Sequence, residues 1–171
     1  SAVLRSGASP GDEIFVTGRR GAGRAGKHFM FDPRVHEGIF LRDYATSMID
    51  ITDGLLADLA RLMHASRTGS RINPDLIPIS PEAGVDDNSR SPLQHAMWDG
   101  EDFELLFTIK QTEAEAFKKA WRKHFEVECS HIGNVTEAEP LIDVVDSTGI
   151  RHEIENRGFF HFQKSRDSNQ Q

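Results

Sequence analysis

The stretch Met48-Ile49-Asp50-Ile51-Thr52-Asp53-Gly54-Leu55-Leu56-Ala57-Asp58-Leu59 joins a predicted strand to a predicted helix. Residues 47–51 are short and largely apolar, as in a buried strand. Apolar residues then recur at helical spacing, namely Leu55, Leu56, Leu59, Leu62 and Met63. Residues 50–54, which we call the aspartate turn, therefore lie between the carboxyl end of a strand and the amino end of a helix. α/β proteins commonly bind phosphates and metal ions at such junctions.

Two interpretations of the aspartate turn are open. Asp50 and Asp53 are three residues apart, and two carboxylates in such a turn can hold a divalent cation through oxygen ligands. Alternatively, Thr52 or Asp53 only caps the helix by accepting hydrogen bonds from its first N–H groups. Asp50 interrupts an apolar strand, where a carboxylate costs free energy unless it is paired or liganded. This last point favours a site.

Composition narrows the classes of function. A chain of 171 residues predicts one domain with a real core. The formal charge of −7 argues against nucleic acid as a partner, because a phosphate backbone requires a basic face. One cysteine, Cys129, is typical of a reducing compartment. No apolar run reaches the length of a membrane span, so we expect a cytoplasmic protein with no membrane partner. The chain starts with Ser-Ala-Val-Leu rather than Met, so we expect a piece of something longer.

The remaining patterns predict alternating strands and helices. Strands are expected over 13–17, 69–72, 103–109 and 127–135, with a hairpin formed by 140–145 and 149–154. Helices are expected over 33–44, 92–98 and 111–124, and Val35, Ile39 and Phe40 line one side of the first. Residues 163–171 form a polar tail that we expect to be disordered.

Three further groups could carry chemistry. The glycine- and arginine-rich residues 18–28 are either a flexible anion-binding loop or a mobile surface loop. Four carboxylates lie within six residues, and they repel one another unless solvated or bridged by a cation or a donor; they are Asp99, Glu101, Asp102 and Glu104. Cys129 and His131 share one face of a strand, but without a second cysteine this pair does not favour metal or thiol chemistry.

Taken in order, four motifs resemble a known family. Ile49-Asp50-Ile51-Thr52-Asp53-Gly54-Leu55 is similar to the Ile-Asp-Ile-Ser-Asp-Gly-Leu signature of thiamine-monophosphate kinases. Asp99-Gly100-Glu101-Asp102-Phe103-Glu104-Leu105-Leu106-Phe107 resembles their Gly-Gly-Glu-Asp-Tyr-Glu-Leu-Leu-Phe. Gly158-Phe159-Phe160-His161-Phe162 resembles their Gly-aromatic-x-His-Phe ending. Ser6-Gly7-Ala8-x-Pro10-Gly11-Asp12 resembles the start of their carboxyl-terminal half, and order and rough spacing agree over residues 6–162.

The resemblance implies an architecture. The family is grouped with aminoimidazole ribonucleotide synthetase and selenophosphate synthetase, and its members have two α/β domains. By this resemblance, residues 1–162 are a carboxyl-terminal domain of α/β (α+β-like) class, with a mixed β-sheet flanked by helices. The amino-terminal domain, which carries most of the nucleotide site and forms the homodimer, is absent from this chain. The isolated domain is expected to be inactive.

The resemblance also implies roles for five residues. Asp50 and Asp53 correspond to magnesium ligands, and Thr52 to a serine near the phosphates of ATP. Glu101 and Phe159 correspond to residues that contact thiamine monophosphate. No residue of this chain is expected to act as a catalytic nucleophile, because positioned Mg²⁺ and phosphates do most of the work in phosphoryl transfer.

The sequence departs from the family pattern at several positions. Asp99 replaces a glycine, which adds a charge beside the expected substrate pocket, and residues 18–26 differ from the family's loop. These departures motivate two alternatives to a thiamine-monophosphate kinase. One is another ATP-dependent member of the same superfamily, and the other is a binding module that has lost catalysis.

Overall fold

The computed structural model describes residues 2–19, 21, 33–83, 90–100, 103–137 and 141–154. The strands are β1 Glu13–Thr17, β2 Ala45–Asp50, β3 Gly69–Ile72, β4 Leu105–Ile109, β5 Cys129–Thr136, β6 Asp143–Val145 and β7 Arg151–His152. The helices are α1 Val35–Leu41, α2 Leu55–Ser66, α3 Pro92–Trp98 and α4 Gln111–His124, and Pro74–Leu76 form a 3-10 turn. Residues 155–171, including the predicted tail, lie outside the described residues.

The seven strands form one sheet in the order β2-β4-β1-β5-β3-β6-β7. Neighbouring strands are antiparallel except for β3 and β6, which are parallel. The predicted class, a mixed sheet flanked by helices, is therefore confirmed. No helix in the described part of the chain is both long and apolar enough to cross a membrane.

Helices cover both faces of the sheet. Successive residues of a strand point to opposite faces and belong to two different apolar clusters. Ile14 and Val16 of β1 face α2 and α3, whereas Phe15 between them faces α1 and α4. The α4 face is aromatic, and Phe15 stacks on Phe107 with ring centroids 5.7 Å apart. Alternate residues along each strand are thus buried on opposite sides of the sheet, as expected for a sheet between two helical layers.

The first helix differs from the prediction. α1 covers only Val35–Leu41, and Val35 and Ile39 are exposed. The buried positions of this helix are Glu37 and Leu41, with Phe40 partly buried against the aromatic cluster. The expected apolar side of 35, 39 and 40 was therefore wrong, since only Phe40 of the three packs on the core.

Strand pairing brings two distant segments together. β2 and β4 are antiparallel, with Asp50 opposite Leu105. The carboxyl end of β2, where the aspartate turn begins, consequently lies beside the amino end of β4. Phe103 and Glu104, which precede β4, therefore lie beside the start of the aspartate turn, and both are hydrogen-bonded to Ile51.

Candidate active site

The aspartate turn leads directly into α2 without a side-chain cap. Gly54 occupies the N-cap position with φ of 104°, a conformation that favours glycine, and no side chain among the described residues makes a capping hydrogen bond there. The alternative in which Thr52 or Asp53 is simply a helix cap is therefore wrong. Thr52 is half-buried and Asp53 is exposed.

A carboxylate within the helix holds the turn instead. Asp58 is fully buried, and its Oδ2 accepts hydrogen bonds from the backbone N–H groups of Thr52, at 2.8 Å, and Asp53, at 3.0 Å. Its Oδ1 lies 2.6 Å from Nη1 of Arg61. This role was not predicted from the sequence. The available signal was periodicity, because Asp58 shares a helical face with the buried Leu55 and Leu62.

The two predicted metal ligands differ in their surroundings. Oδ2 of Asp53 lies 2.5 Å from Nη1 of Arg61, and 57% of the Asp53 side chain is exposed. Asp50 is the exposed last residue of β2, and its carboxylate has no ion-pair or hydrogen-bond partner among the described residues. The expectation of a buried carboxylate at position 50 that requires a ligand was therefore wrong. Because Asp50 is exposed at a turn, its carboxylate is available to bind a cation. This exposure favours a metal site less strongly than an unpaired buried carboxylate would.

The segment 98–100 packs backbone to backbone against the aspartate turn. A Cβ atom on Gly54 would meet the carbonyl oxygen of Trp98 at 2.7 Å, and one on Gly100 would collide with the carbonyl oxygen of Thr52. The chain then rejoins the sheet, since Ile51 accepts a hydrogen bond from Phe103 N–H at 3.1 Å. Two motifs about 50 residues apart thus form one surface, as the antiparallel pairing requires.

Phe103 carries backbone strain at this junction. Its φ is 51°, in the left-handed region that a phenylalanine adopts rarely. Ile51 accepts from the Phe103 N–H, and its own N–H donates to the carbonyl of Glu104 at 2.8 Å, so hydrogen bonds fix the chain both at Phe103 and just after it. Strain of this kind persists only where the surroundings enforce it, and it is common at functional sites.

The two residues predicted to contact substrate, Glu101 and Phe159, lie outside the described residues. Glu101 directly follows Gly100, whose backbone contacts the aspartate turn. The convergence of Glu101 and Phe159 with Asp50 and Asp53 stays a prediction.

The charge of Asp99 is neutralised within the fold. Asp99 is only 6% exposed; its Oδ1 lies 3.0 Å from Nη1 of Arg90 and its Oδ2 lies 2.7 Å from Nδ1 of His95. His95 belongs to α3, and Arg90 lies just before that helix. The prediction that Asp99 adds a charge beside the pocket is therefore wrong, because its carboxylate is buried against α3.

Glu104 is also buried and paired. Arg34 binds it through two parallel hydrogen bonds, from Nε to Oε2 and from Nη2 to Oε1, both at 2.9 Å. Thr17 Oγ1 donates to the same carboxylate at 2.6 Å and accepts the backbone N–H of Leu105 at 2.9 Å. Glu104 presses against Gly18, where any Cβ would overlap its oxygens. The described half of the acidic cluster, Asp99 and Glu104, is thus bridged by donors rather than solvated.

A cavity of about 330 Å³ borders this network. Its lining includes Arg34, Glu104 and Gly18. Arg19, at the start of the predicted anion loop, also lines it and is paired with Glu128 at 3.1 Å. Residues 20 and 22–32 lie outside the described residues, so the loop interpretation stays a prediction.

Cys129 is not suited to thiol chemistry. Burial raises the pKa of its thiol far above the usual range, and Lys118 offsets this only in part. A thiol in such surroundings is a poor nucleophile, because the thiolate is the reactive form. His131 lies 3.8 Å from the Glu13 carboxylate, and no group of three or more His, Cys, Asp or Glu side chains in the described residues is arranged to hold a metal ion.

The chemistry of the aspartate turn still fits a partial magnesium site. Mg²⁺ prefers oxygen ligands and usually takes one or two carboxylates, with water and phosphate oxygens completing its six positions. Asp50 and Asp53 are exposed carboxylates on a turn whose backbone is fixed by Asp58. They match the one or two carboxylates that a protein supplies to such a site, and water and phosphate oxygens would supply the remaining ligands.

Comparisons with known proteins agree with this description. Residues 30–145 match the family described as AIR synthase related protein, C-terminal domain. The thiamine-monophosphate kinase of Escherichia coli (strain K12) is 33% identical over 183 residues, covering 94% of this chain and 55% of that protein. That of Rhodopirellula baltica is 41% identical over 115 residues, covering 65% of this chain and 36% of that protein.

A solved structure described as AaThiL complexed with AMPPCP and TMP is 28% identical to the chain, with a TM-score of 0.69. The match covers 94% of this chain and 54% of that one. The chain therefore spans about half the length of the E. coli enzyme and of that structure. The resemblance inferred from the ordered motifs is confirmed.

Proposed function

Because the chain belongs to the AIR synthase-related family, whose C-terminal domain it matches, we propose that it is the substrate-side domain of a thiamine-monophosphate kinase. The proposed reaction transfers the γ-phosphoryl group of ATP to a phosphate oxygen of thiamine monophosphate. The P–O bond to the β-phosphate breaks, and ADP and thiamine diphosphate are the products. Relatives named thiamine-monophosphate kinase, and a neighbouring structure complexed with AMPPCP and TMP, support these substrates.

We propose that residues 1–162 form this domain and that it works together with an amino-terminal nucleotide-binding domain. The matched relatives are about twice as long as the match, which supports a partner domain in the same protein. The domain holds only part of a site, so we expect turnover in the full-length parent, as a homodimer, and none from this chain alone.

The single observation that carries the proposal is the contact between the aspartate turn and the segment 98–100. It brings the proposed magnesium ligands, Asp50 and Asp53, beside the segment that leads to the proposed substrate ligand Glu101. Thr52, between the aspartates, is proposed to meet phosphate oxygens, and Phe159 to stack on the thiamine ring. Bound Mg²⁺ would supply neutralisation of the phosphate charge, while Asp58 keeps the turn in shape.

The test is Asp53→Ala in the full-length parent. We expect turnover of thiamine monophosphate to fall about 100-fold or more, by analogy with loss of one preorganised electrostatic contact. The free energy of unfolding should fall by about 1 kcal/mol or less, because the ion pair that the substitution removes is partly exposed. Asp43→Ala, at another exposed aspartate, is the matched control and should leave turnover unchanged.

Unchanged turnover in Asp53→Ala would refute the proposed metal role. If the parent turns over no thiamine monophosphate but does consume ATP with another substrate, a different member of the superfamily is indicated. Asp99 no longer favours that alternative, because its carboxylate is buried against α3. Binding of thiamine phosphates by this chain, in a protein with no nucleotide-binding domain, would favour a non-catalytic module.

A further inference from the structure

Arg61 bridges two carboxylates with one nitrogen. Its Nη1 lies 2.5 Å from Oδ2 of Asp53 and 2.6 Å from Oδ1 of Asp58. The arginine side chain is 45% exposed, Asp53 is 57% exposed and Asp58 is fully buried. The guanidinium therefore contacts the buried carboxylate of Asp58 from the solvent-exposed side, directly beside the aspartate turn.

The two contacts of Arg61 are unequal. Asp58 needs a positive partner because its charge is buried, and removing the partner of a buried charge is strongly destabilising. The contact with Asp53 is open to water, and exposed ion pairs are weak. The hydrogen bonds to Asp53 and then Asp58 raise the pKa of Arg61 above its ordinary value, so the guanidinium stays charged throughout. A competing cation can therefore displace Arg61 from Asp53 while it remains on Asp58.

We propose that Arg61 is an internal counter-ion that occupies the Asp53 carboxylate until a divalent cation takes it, and thereby limits how tightly the turn binds that cation. The inference rests on the proposed function, because it takes Asp53 as a cation ligand. The positive charge that must leave Asp53 opposes binding of any second cation there. In the cation-free protein the same contact keeps the exposed Asp53 paired beside Asp50.

Manganese binding to the chain tests this directly. Mn²⁺ favours the same carboxylate ligands as Mg²⁺, and the free ion is counted by electron paramagnetic resonance. Arg61→Gln removes the charge and retains an N–H donor for Asp58. We expect Arg61→Gln to bind Mn²⁺ about two- to fivefold more tightly than the wild type, the range set by a partly exposed ion pair. Arg122→Gln removes the same charge from α4, on the opposite face of the sheet, and should bind as the wild type does.

A second measurement follows Arg61 itself in the wild-type chain, without substituting it. In the wild-type chain, the ¹⁵N–¹H signal of the Arg61 Nε–H should shift on addition of Mg²⁺, as Asp53 is released. In Asp53→Asn the signal should begin close to its shifted position and respond little to Mg²⁺. Arg61→Lys, in which this signal is missing, supplies the assignment. This readout serves even if Arg61→Gln fails to fold.

The outcomes separate the two proposals. If Arg61→Gln binds Mn²⁺ no more tightly than the wild type while Asp53→Asn loses binding, the counter-ion inference fails and the metal role of Asp53 survives. If Asp53→Asn binds Mn²⁺ as well as the wild type, the metal role fails and the inference fails with it. Absence of Mn²⁺ binding in all variants of this chain overturns the counter-ion inference, and the turnover of Asp53→Ala in the full-length parent then decides the metal role on its own.

Discussion

Asp58→Asn should unfold the domain more easily than any change at the exposed aspartates of the turn. The substitution keeps the size of the side chain but replaces one carboxylate oxygen by an NH₂ donor. That donor must face either the N–H groups of Thr52 and Asp53 or the guanidinium of Arg61, all of which are donors. One side of the network is therefore left unsatisfied inside a fully buried site.

The magnitude follows from the hydrogen bonds that the new NH₂ group cannot accept. Hydrogen bonds to a charged group contribute about 1.5–3 kcal/mol each, and an unsatisfied buried group adds a penalty of about 1–3 kcal/mol. Because the Asn oxygen still serves one side, we expect a net loss of about 2–4 kcal/mol in the free energy of unfolding. For a domain of this size, 1 kcal/mol corresponds to a shift of about 2–4 °C in Tm. Tm should therefore fall by roughly 5–15 °C.

Urea unfolding and calorimetry at neutral pH provide the assay, with Asp53→Asn as the matched control. The ion pair of Asp53 with Arg61 is exposed, so this substitution should cost about 1 kcal/mol or less. The prediction is refuted if Asp58→Asn unfolds within about 0.5 kcal/mol of the wild type, the range of an ordinary surface change. Equal losses in both variants would likewise mean that burial of Asp58 is irrelevant.

Three smaller predictions concern other parts of the fold. Arg67 ends α2 at φ of 57°, so Arg67→Gly should raise the free energy of unfolding by about 0.5–1 kcal/mol in urea, whereas Arg67→Ala should give no gain. Cys129 is half-buried and the pKa of its thiol is raised, so it should react slowly with a thiol reagent at pH 8 and at once in denaturant; fast reaction of the native protein would contradict this expectation. Hydrogen bonds from Thr148 and His152 lower the pKa of Asp146 below its usual 3.8. The ionised side chain therefore stabilises the fold above pH 3.8, and this stabilisation is lost as the pH falls through the lowered pKa. Unfolding curves of Asp146→Asn should therefore differ from the wild type at pH 7 and converge with it in acid, and a difference that persists in acid would contradict the assignment.

Much of the fold could be predicted because its elements follow simple patterns. β1, β3, α3 and α4 have their predicted bounds, since turn residues or caps mark their ends, as Ser91 does for α3. α1 is shorter than predicted and presents a different face. Its apolar residues did not reveal that Glu37 would be buried beside Arg34, 3.7 Å away. Periodicity counts apolar residues and cannot weigh a charge that is neutralised by an ion pair, even when the partner is only three residues away.

The same limit explains what was missed at the site. The aspartate turn and the acidic segment were recognised from their motifs, and antiparallel pairing of β2 with β4 explains why they meet. Asp58 was given no role by the sequence, and the donors that bridge Asp99 and Glu104 in the acidic cluster could not be identified from it. The partners of these three carboxylates are three to 87 residues away, and only the folded chain shows that each is satisfied.

The close approach at Gly54 and Gly100 also constrains how this surface can change during evolution. Neither position has room for a methyl group, because each faces the main chain of the other segment rather than a side chain that could rotate away. New specificity therefore cannot arise by adding a side chain at either glycine without shifting the facing backbone. Variation must enter at neighbouring positions, and a saturation library should yield folded variants at the exposed Asp53 more readily than at Gly100. The backbones of the two loops therefore constrain each other, even though about 45 residues of chain separate them.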